Sequence, residues 1–142
     1  MQQFDLHNNI APVVSIKPGA VGATGVGQTG NVVNRCGCNA VEFLMTVGSI
    51  TATNATVAGS ILDCATSNGS FVTVSAGNLI GSAPLVGAAS TRTSGVSKNL
   101  VQRVGYKGLQ PFVKAAIFST VSAGIIVSGV IILGSPSFRP TL

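Results

Sequence analysis

The sequence predicts a single all-β domain of about eight strands. Several segments place apolar residues at alternate positions, and Gly, Pro and Asn turn signals separate them at short intervals. No stretch of ten or more residues shows the i, i+3, i+4, i+7 apolar spacing of an amphipathic helix. The 142 residues suit one domain and are too few for two independent cores. Strands of this number and spacing are typical of a β-sandwich, a jelly roll or a small barrel.

The clearest strands can be placed in chain order. The first long alternation puts four apolar side chains on one face, and they are Val41, Phe43, Met45 and Val47. Residues 60–64 and 71–75 flank an Asn68-Gly69 step, which is a strong hairpin signal. Two more strands are predicted over residues 99–106 and 111–120.

A glycine-rich segment precedes these strands. Residues 18–30 contain five glycines, one proline and no large side chain, which predicts a mobile loop. Residues 25–30 spell G-x-G-x-x-G, a pattern of dinucleotide-binding sites. Such a site needs a strand before the pattern and a helix after it, and this sequence predicts neither, so the loop is the better interpretation.

Residues 116–134 form an uncharged run of 19 residues, long enough for a membrane-spanning helix. Nine of the 19 are β-branched, and Ser122-Ala123-Gly124 interrupts the run. This composition favours two strands joined by a small-residue turn, as a strand hairpin. A small membrane protein anchored by residues 116–134 is the alternative.

The charge count restricts the chemistry. Charged residues make up 8% of the chain, against about 25% in a typical domain, and the net charge is +5. Acid–base or metal chemistry could draw only on Asp5, His7, Glu42 and Asp63. We therefore expect a protein that is not an enzyme and that has no cofactor and no metal.

The three cysteines are Cys36, Cys38 and Cys64, an odd number without a nearby histidine. This arrangement favours free thiols, in keeping with a reducing compartment, over a zinc site. The metal site is kept as the third hypothesis. The first residues lack the basic and apolar regions of a secretory signal, so no such signal is expected.

Basic residues are concentrated in the second half of the chain, and no acid follows Asp63. These residues predict either ordinary solvated side chains or one positive face directed at an acidic partner. The chain contains no DNA-binding or RNA-binding motif and few aromatic residues, so no specific nucleic acid is expected.

Short fragments distributed along the chain resemble a family of capsid decoration, or cement, proteins of tailed bacteriophages. The fragments are Phe4-Asp5-Leu6-His7-Asn8-Asn9-Ile10, Ala40-Val41-Glu42-Phe43, Asn78-Leu79-Ile80-Gly81, Val104-Gly105-Tyr106-Lys107-Gly108, Phe112-Val113-Lys114 and Leu133-Gly134-Ser135-Pro136. The resemblance implies a jelly-roll-like β-sandwich with an N-terminal arm (residues 1–10) and a C-terminal tail (residues 135–142). It implies a virion protein, made in the host cytoplasm and without a membrane partner, which binds the outer surface of an icosahedral capsid and stabilises it.

The implied partners are the major capsid protein and further copies of this chain, as a dimer or trimer on local symmetry axes. Arms of this kind can add a strand to a partner sheet. The residues expected to contact the capsid or a partner are Phe4, Leu6, His7, Arg92, Lys98, Arg103, Lys107, Phe138 and Arg139.

Overall fold

The computed structural model describes residues 9–21, 27–48, 56–83, 85–86, 100–119 and 126–136. Within these residues the chain is almost entirely β, with one short 3-10 turn at Ala76–Asn78. The strands are β1 (Ile10–Ala20), β2 (Gln28–Thr29), β3 (Val33–Asn34), β4 (Cys38–Val47), β5 (Val57–Cys64), β6 (Val72–Thr73), β7 (Leu79–Ile80), β8 (Leu85–Val86), β9 (Leu100–Tyr106), β10 (Phe112–Ser119) and β11 (Ile126–Pro136).

The strands form two antiparallel sheets. The five-stranded sheet has the order β1-β11-β4-β9-β7. The six-stranded sheet has the order β2-β10-β5-β6, with β3 also paired to β10 and β8 also paired to β5. Every neighbouring pair is antiparallel.

Two positions in the six-stranded sheet are each filled by a pair of short strands. β2 and β3 pair with successive parts of β10, whereas β6 and β8 pair with opposite ends of β5. If each pair is counted as one interrupted strand, and β7 is treated as a short addition beside β9, the two sheets together have eight strand positions. The chain then runs from sheet to sheet in the order of a jelly roll, with the first strand beside the last and the second beside the second to last. The predicted jelly-roll-like β-sandwich is confirmed.

The core lies between the two sheets and is built from the inward residue of each alternating pair. Its largest fully buried side chains are Tyr106, Phe43, Met45, Ile61, Ile117, Ile131, Val47, Val57, Val104, Val113 and Val127. The predicted apolar face of β4 is therefore confirmed. Each of these large apolar side chains contributes about 1.5 to 3 kcal/mol by leaving water.

One side of the sandwich is closed by hydrogen bonds between the sheets. The Ser15 hydroxyl donates to the Asn31 carbonyl oxygen at 3.2 Å and accepts from the Ala115 N–H at 3.3 Å. The Asn31 N–H donates to the Ser15 carbonyl oxygen at 2.8 Å. These bonds satisfy the buried Ser15 and attach the edge strand β1 to the opposite sheet.

The hairpin predicted around Asn68-Gly69 is confirmed, because β5 pairs antiparallel with β6. The strands predicted over 99–106 and 111–120 correspond to β9 and β10.

The long apolar run does contain two strands, but they do not form the predicted hairpin. β10 lies in the six-stranded sheet between β2/β3 and β5, whereas β11 lies in the five-stranded sheet between β1 and β4. Both are interior strands, each flanked on two sides, and their inward residues such as Ile117 and Ile131 are fully buried. No helix in the described residues has the length and hydropathy needed to span a membrane.

The glycine-rich segment is also more ordered than predicted at both of its ends. Residues 18–20 complete β1, where Gly19 and Ala20 pair with β11, and Gln28–Thr29 forms β2. Residues 22–26 lie outside the described residues. Small side chains in this segment allow strand pairing at the crowded corner where β1 meets the second sheet. No helix follows the G-x-G-x-x-G pattern, since the next element is β3.

Candidate functional site

The two ends of the described chain lie side by side. β1 begins at Ile10, which pairs with Gly134 near the end of β11. β11 ends at Pro136, which pairs with Cys38 at the start of β4. The N-terminal arm and the C-terminal tail therefore attach to neighbouring strands at the same end of the five-stranded sheet, which we call the arm end.

The arm end also carries the loop between β9 and β10, residues 107–111. β9 reaches this end at Tyr106, which pairs with Val41 and Leu79. The side chain of Tyr106 is buried, and its hydroxyl donates to Asp63 Oδ2 at 2.8 Å. Because Asp63 belongs to β5, this bond ties the two sheets together directly beneath the loop.

Three interactions and one close backbone approach hold the loop against Tyr106. The Gln110 N–H donates to the Tyr106 hydroxyl at 3.1 Å, and Arg35 Nε donates to the Gln110 carbonyl oxygen at 2.7 Å. The Arg35 guanidinium carbon lies 5.4 Å from the centroid of the Tyr106 ring, within the range of a cation–π contact. A Cβ added at Gly108 would overlap the Tyr106 hydroxyl and ring, so only glycine fits there.

The loop presents an apolar side chain to solvent from this anchored base. Leu109 is 92% exposed, the largest exposure among the described large hydrophobic residues. Next to it, Lys107 is exposed, and its backbone N–H donates to the Asn78 carbonyl oxygen at 3.0 Å. The anchored loop thus displays one leucine and one lysine to solvent, and side chains on an anchored loop lose little entropy when they bind.

Burial raises the pKa of Tyr106 to about 12, and the hydrogen bond to Asp63 acts in the same direction. The folded protein therefore holds this proton more tightly than the unfolded chain, whose tyrosine has a pKa of 10.0. The contribution of the protonated Tyr106 hydroxyl to the free energy of unfolding is fully present below pH 10 and is lost as the pH rises from 10 to 12. The loss amounts to roughly 2 to 3 kcal/mol.

We expect Tyr106→Phe to lower the free energy of unfolding at pH 7 by about 1 to 3 kcal/mol, because Asp63 loses its donor. Urea unfolding of both proteins measures this difference. Between pH 10 and 12 the difference should shrink, because only the parent protein has this phenol to ionise. A difference that stays constant over that range would contradict the role assigned to the hydroxyl.

Of the residues predicted to contact partners, the structure describes Arg103 and Lys107. Lys107 lies at the arm end, whereas Arg103 lies four residues earlier on β9, about 13 Å away along the strand. Arg103 Nε is 3.9 Å from Glu42 Oε1. The remaining predicted contact residues, which lie outside the described residues, are Phe4, Leu6, His7, Arg92, Lys98, Phe138 and Arg139.

The sequence analysis did not select Leu109, Arg35 or Gln110 as site residues. The one available signal was the pair of glycines at 105 and 108 around Tyr106 and Lys107, which belongs to the fragments quoted above.

The described residues do not bring catalytic or metal-binding groups together. Glu42 faces outward from the five-stranded sheet, whereas Asp63 is engaged by Tyr106. Cys36, Cys38 and Cys64 are free thiols, and no group of three or more His, Cys, Asp or Glu side chains in the described part of the chain could hold a metal ion.

No protein-family model matches the sequence, and no curated protein matches it. The fold is similar to a chain in the solved structure titled "Structure of infectious bursal disease virus Gx strain", with a TM-score of 0.47 and 12% identity. The match covers 94% of this chain and 34% of that chain, so this chain spans about a third of its length. A similarity at this level carries no inference about function, and the jelly-roll assignment rests on the strand order.

Proposed function

We propose that this chain is a structural virion protein, a cement subunit that binds the outer surface of an icosahedral phage capsid and stabilises it. The observation that carries the proposal is the arrangement of the arm end. Both terminal segments are joined to neighbouring strands, beside a loop that displays Leu109 and Lys107. A compact domain can thus use two arms and one anchored loop on a single partner surface.

The residue types in the arms indicate which part of the chain determines capsid affinity. The arms contain apolar, aromatic and basic side chains at Phe4, Leu6, His7, Phe138 and Arg139, and they supply the contacts that determine affinity. Their backbone can add to a sheet of the major capsid protein. Several modest contacts made by one molecule reinforce one another through high effective concentration.

The sequence resemblance supports the same proposal, because its fragments include both the first residues of the chain and the strand that leads into the tail. The low charge content also supports it, since a surface with few charges suits a protein that works while docked to another. In this proposal the location is the outer surface of the virion, and no catalytic step is assigned.

The experiment that tests the function is direct. Capsids that lack the protein are mixed with increasing amounts of the purified chain, and bound copies per capsid are counted by quantitative gel analysis after sedimentation. We expect saturable binding at a fixed number of copies and a higher temperature of capsid disruption. Binding that does not saturate, or binding without any gain in heat resistance, would contradict the proposal.

We expect Leu109→Ser to lower the affinity for capsids by about tenfold or more, because an exposed anchor on a rigid loop concentrates binding energy. The stability of the free protein should change little, since this side chain is 92% exposed. Phe118→Ser is the matched control, because Phe118 is 44% exposed near the opposite end of β10. An equal loss of capsid affinity in both variants would argue against a specific role for the loop.

We expect the basic residues to steer association rather than to determine affinity. Replacing Arg92, Lys98, Arg103 and Lys107 by Gln should slow the association rate by about tenfold at low salt and have little effect at high salt, because salt screens exposed charges. Light scattering of mixed capsids and protein at several salt concentrations measures the association rate. An unchanged salt dependence would remove the steering role.

A further inference from the structure

The outer face of the five-stranded sheet is apolar although it points to solvent. Alternation along the strands and the pairing register place these outward residues together, with Leu44 beside Val130 and Val130 beside Val14. The outer face consists of Pro12, Val14, Leu44, Val101, Val130 and Ile132, with Ile80 and Ile126 toward its two ends. Val14 is 51% exposed and Val101 is 63% exposed.

The polar groups of the outer face are already paired with one another. The Thr46 hydroxyl contacts the Ser128 hydroxyl across β4 and β11, and it also donates to the Ser128 carbonyl oxygen at 3.3 Å. Glu42 and Arg103 form the ion pair described above. Because these groups need few further partners, covering the face leaves few polar groups unsatisfied.

The outer face is wide enough for a reversible interface. The four long strands span about 19 Å across, and seven paired residues span about 23 Å along them. The flat projection is about 440 Å², a little over half of the roughly 800 Å² that each partner contributes to a standard interface, and protruding side chains add to this area.

We infer that a second copy of this chain covers the outer face, giving a two-fold dimer of stacked five-stranded sheets. The three central strands β11, β4 and β9 carry one acid and one base on this face, Glu42 and Arg103, so the face is close to neutral. A two-fold axis that passes between these residues sets each arginine against the glutamate of the other copy. The face is thus complementary to itself in charge as well as in apolar character.

The dimer does not depend on the capsid, because it forms between copies of the free chain. It leaves the arm end open, since Ile10, Pro136 and the 107–111 loop lie at the end of the sheet rather than on its outer face. Each dimer would therefore present two arm ends, which deepens the multivalent binding proposed above.

Sedimentation velocity of the full chain over a range of concentrations tests the dimer. We expect a reversible dimer, with Leu44→Glu raising the dissociation constant by about a hundredfold or more, because the interface would bury an unpaired charge. Leu62→Glu is the matched control. Leu62 is also half-buried and outward-facing, but it lies on β5 of the other sheet, so association should be unchanged.

Charge reversal gives a readout that does not depend on the fold of the Leu44 variant. Glu42→Arg and Arg103→Glu should each weaken the dimer, because like charges then face each other. An equimolar mixture of the two variants should form heterodimers, in which every facing pair is again opposite in charge. Pairing within one chain cannot produce this rescue.

Recovery of the dimer in the mixture, together with the loss in Leu44→Glu, would establish the interface. A chain that stays monomeric at high concentration, a dimer or trimer insensitive to Leu44→Glu, or a mixture without rescue would overturn it. Capsid binding is measured separately. A monomeric chain that still saturates capsids would refute the dimer alone, whereas a dimer that does not bind capsids would refute the cement function alone.

Discussion

Removal of residues 1–8 and 137–142, parts of the two arms that lie outside strands β1 and β11, is expected to abolish saturation of capsids while the β core stays folded. The strand register sets these cuts, because Ile10 already pairs with Gly134 and Pro136 still pairs with Cys38. Cutting before Ser135 would remove part of β11 and confuse a loss of contact with a loss of fold. Each single deletion should weaken binding by about ten- to a hundredfold, and the double deletion by about a hundred- to ten-thousandfold.

The control for arm length is a variant in which residues 137–142 are replaced by six alternating Gly and Ser residues. This variant keeps the number of residues in the tail but loses the side chains of Phe138 and Arg139. If side chains make the contact, it should bind as weakly as the deletion, whereas backbone strand addition alone predicts partial binding. Unchanged circular dichroism and thermal unfolding verify the fold. Full occupancy by the doubly deleted chain would refute the use of the arms.

The sequence identified strands well where a strand is buried on one face only. β4 is the clearest example, because its inward residues Phe43 and Met45 alternate with outward residues such as Glu42 and Thr46. The period of two follows directly from side chains pointing to opposite sides of a sheet. The β5–β6 hairpin was also predictable, since Asn-Gly is a local signal and the strands that it joins are neighbours in space.

Strand partners that are distant in sequence left no such local signal. The run over residues 116–134 indicated two strands, but an apolar interior strand has the same composition whichever sheet contains it. β10 therefore pairs with β5, about 55 residues away, and β11 pairs with β1 and β4, although nothing in the run specifies these partners. A jelly roll depends on such long-range pairing, so the hairpin interpretation failed while the strand prediction succeeded.

The candidate site was predictable in part. Lys107 and the two arms could be selected by charge and by position in the chain. The exposure of Leu109 could not, because it depends on Gly108 packing against Tyr106 and on a bond from Arg35 to Gln110, 75 residues apart. Likewise, the sequence did not predict that Leu44 and Val130 lie side by side on the outer face, because this depends on the register between β4 and β11.

The expected effect of Phe43→Ala is a loss of about 3 to 5 kcal/mol in the free energy of unfolding. Phe43 is fully buried at the centre of the five-stranded sheet, between Val104 on β9 and Ile131 on β11. Its ring also packs over Gly129, where an added Cβ would lie 2.9 Å from Phe43 Cε2. Truncation leaves a cavity that interior strands on both sides cannot close by moving inward. A loss of this size is a large part of the 5 to 15 kcal/mol typical of a domain.

Leu44→Ala is the matched control, because it truncates the next residue of the same strand on the opposite face. Measured at low protein concentration, where dimers do not contribute, it should cost about 1 kcal/mol or less, since Leu44 is only half-buried in the free chain. At high concentration the two variants should affect dimer formation in the opposite order. Leu44→Ala should raise the dissociation constant of the dimer, whereas Phe43→Ala should leave that of the folded fraction unchanged. Urea unfolding and sedimentation velocity on the same samples measure the two effects. Equal stability losses in the two variants would mean that the outer face is already covered within one copy, and would contradict both the core assignment and the exposed face.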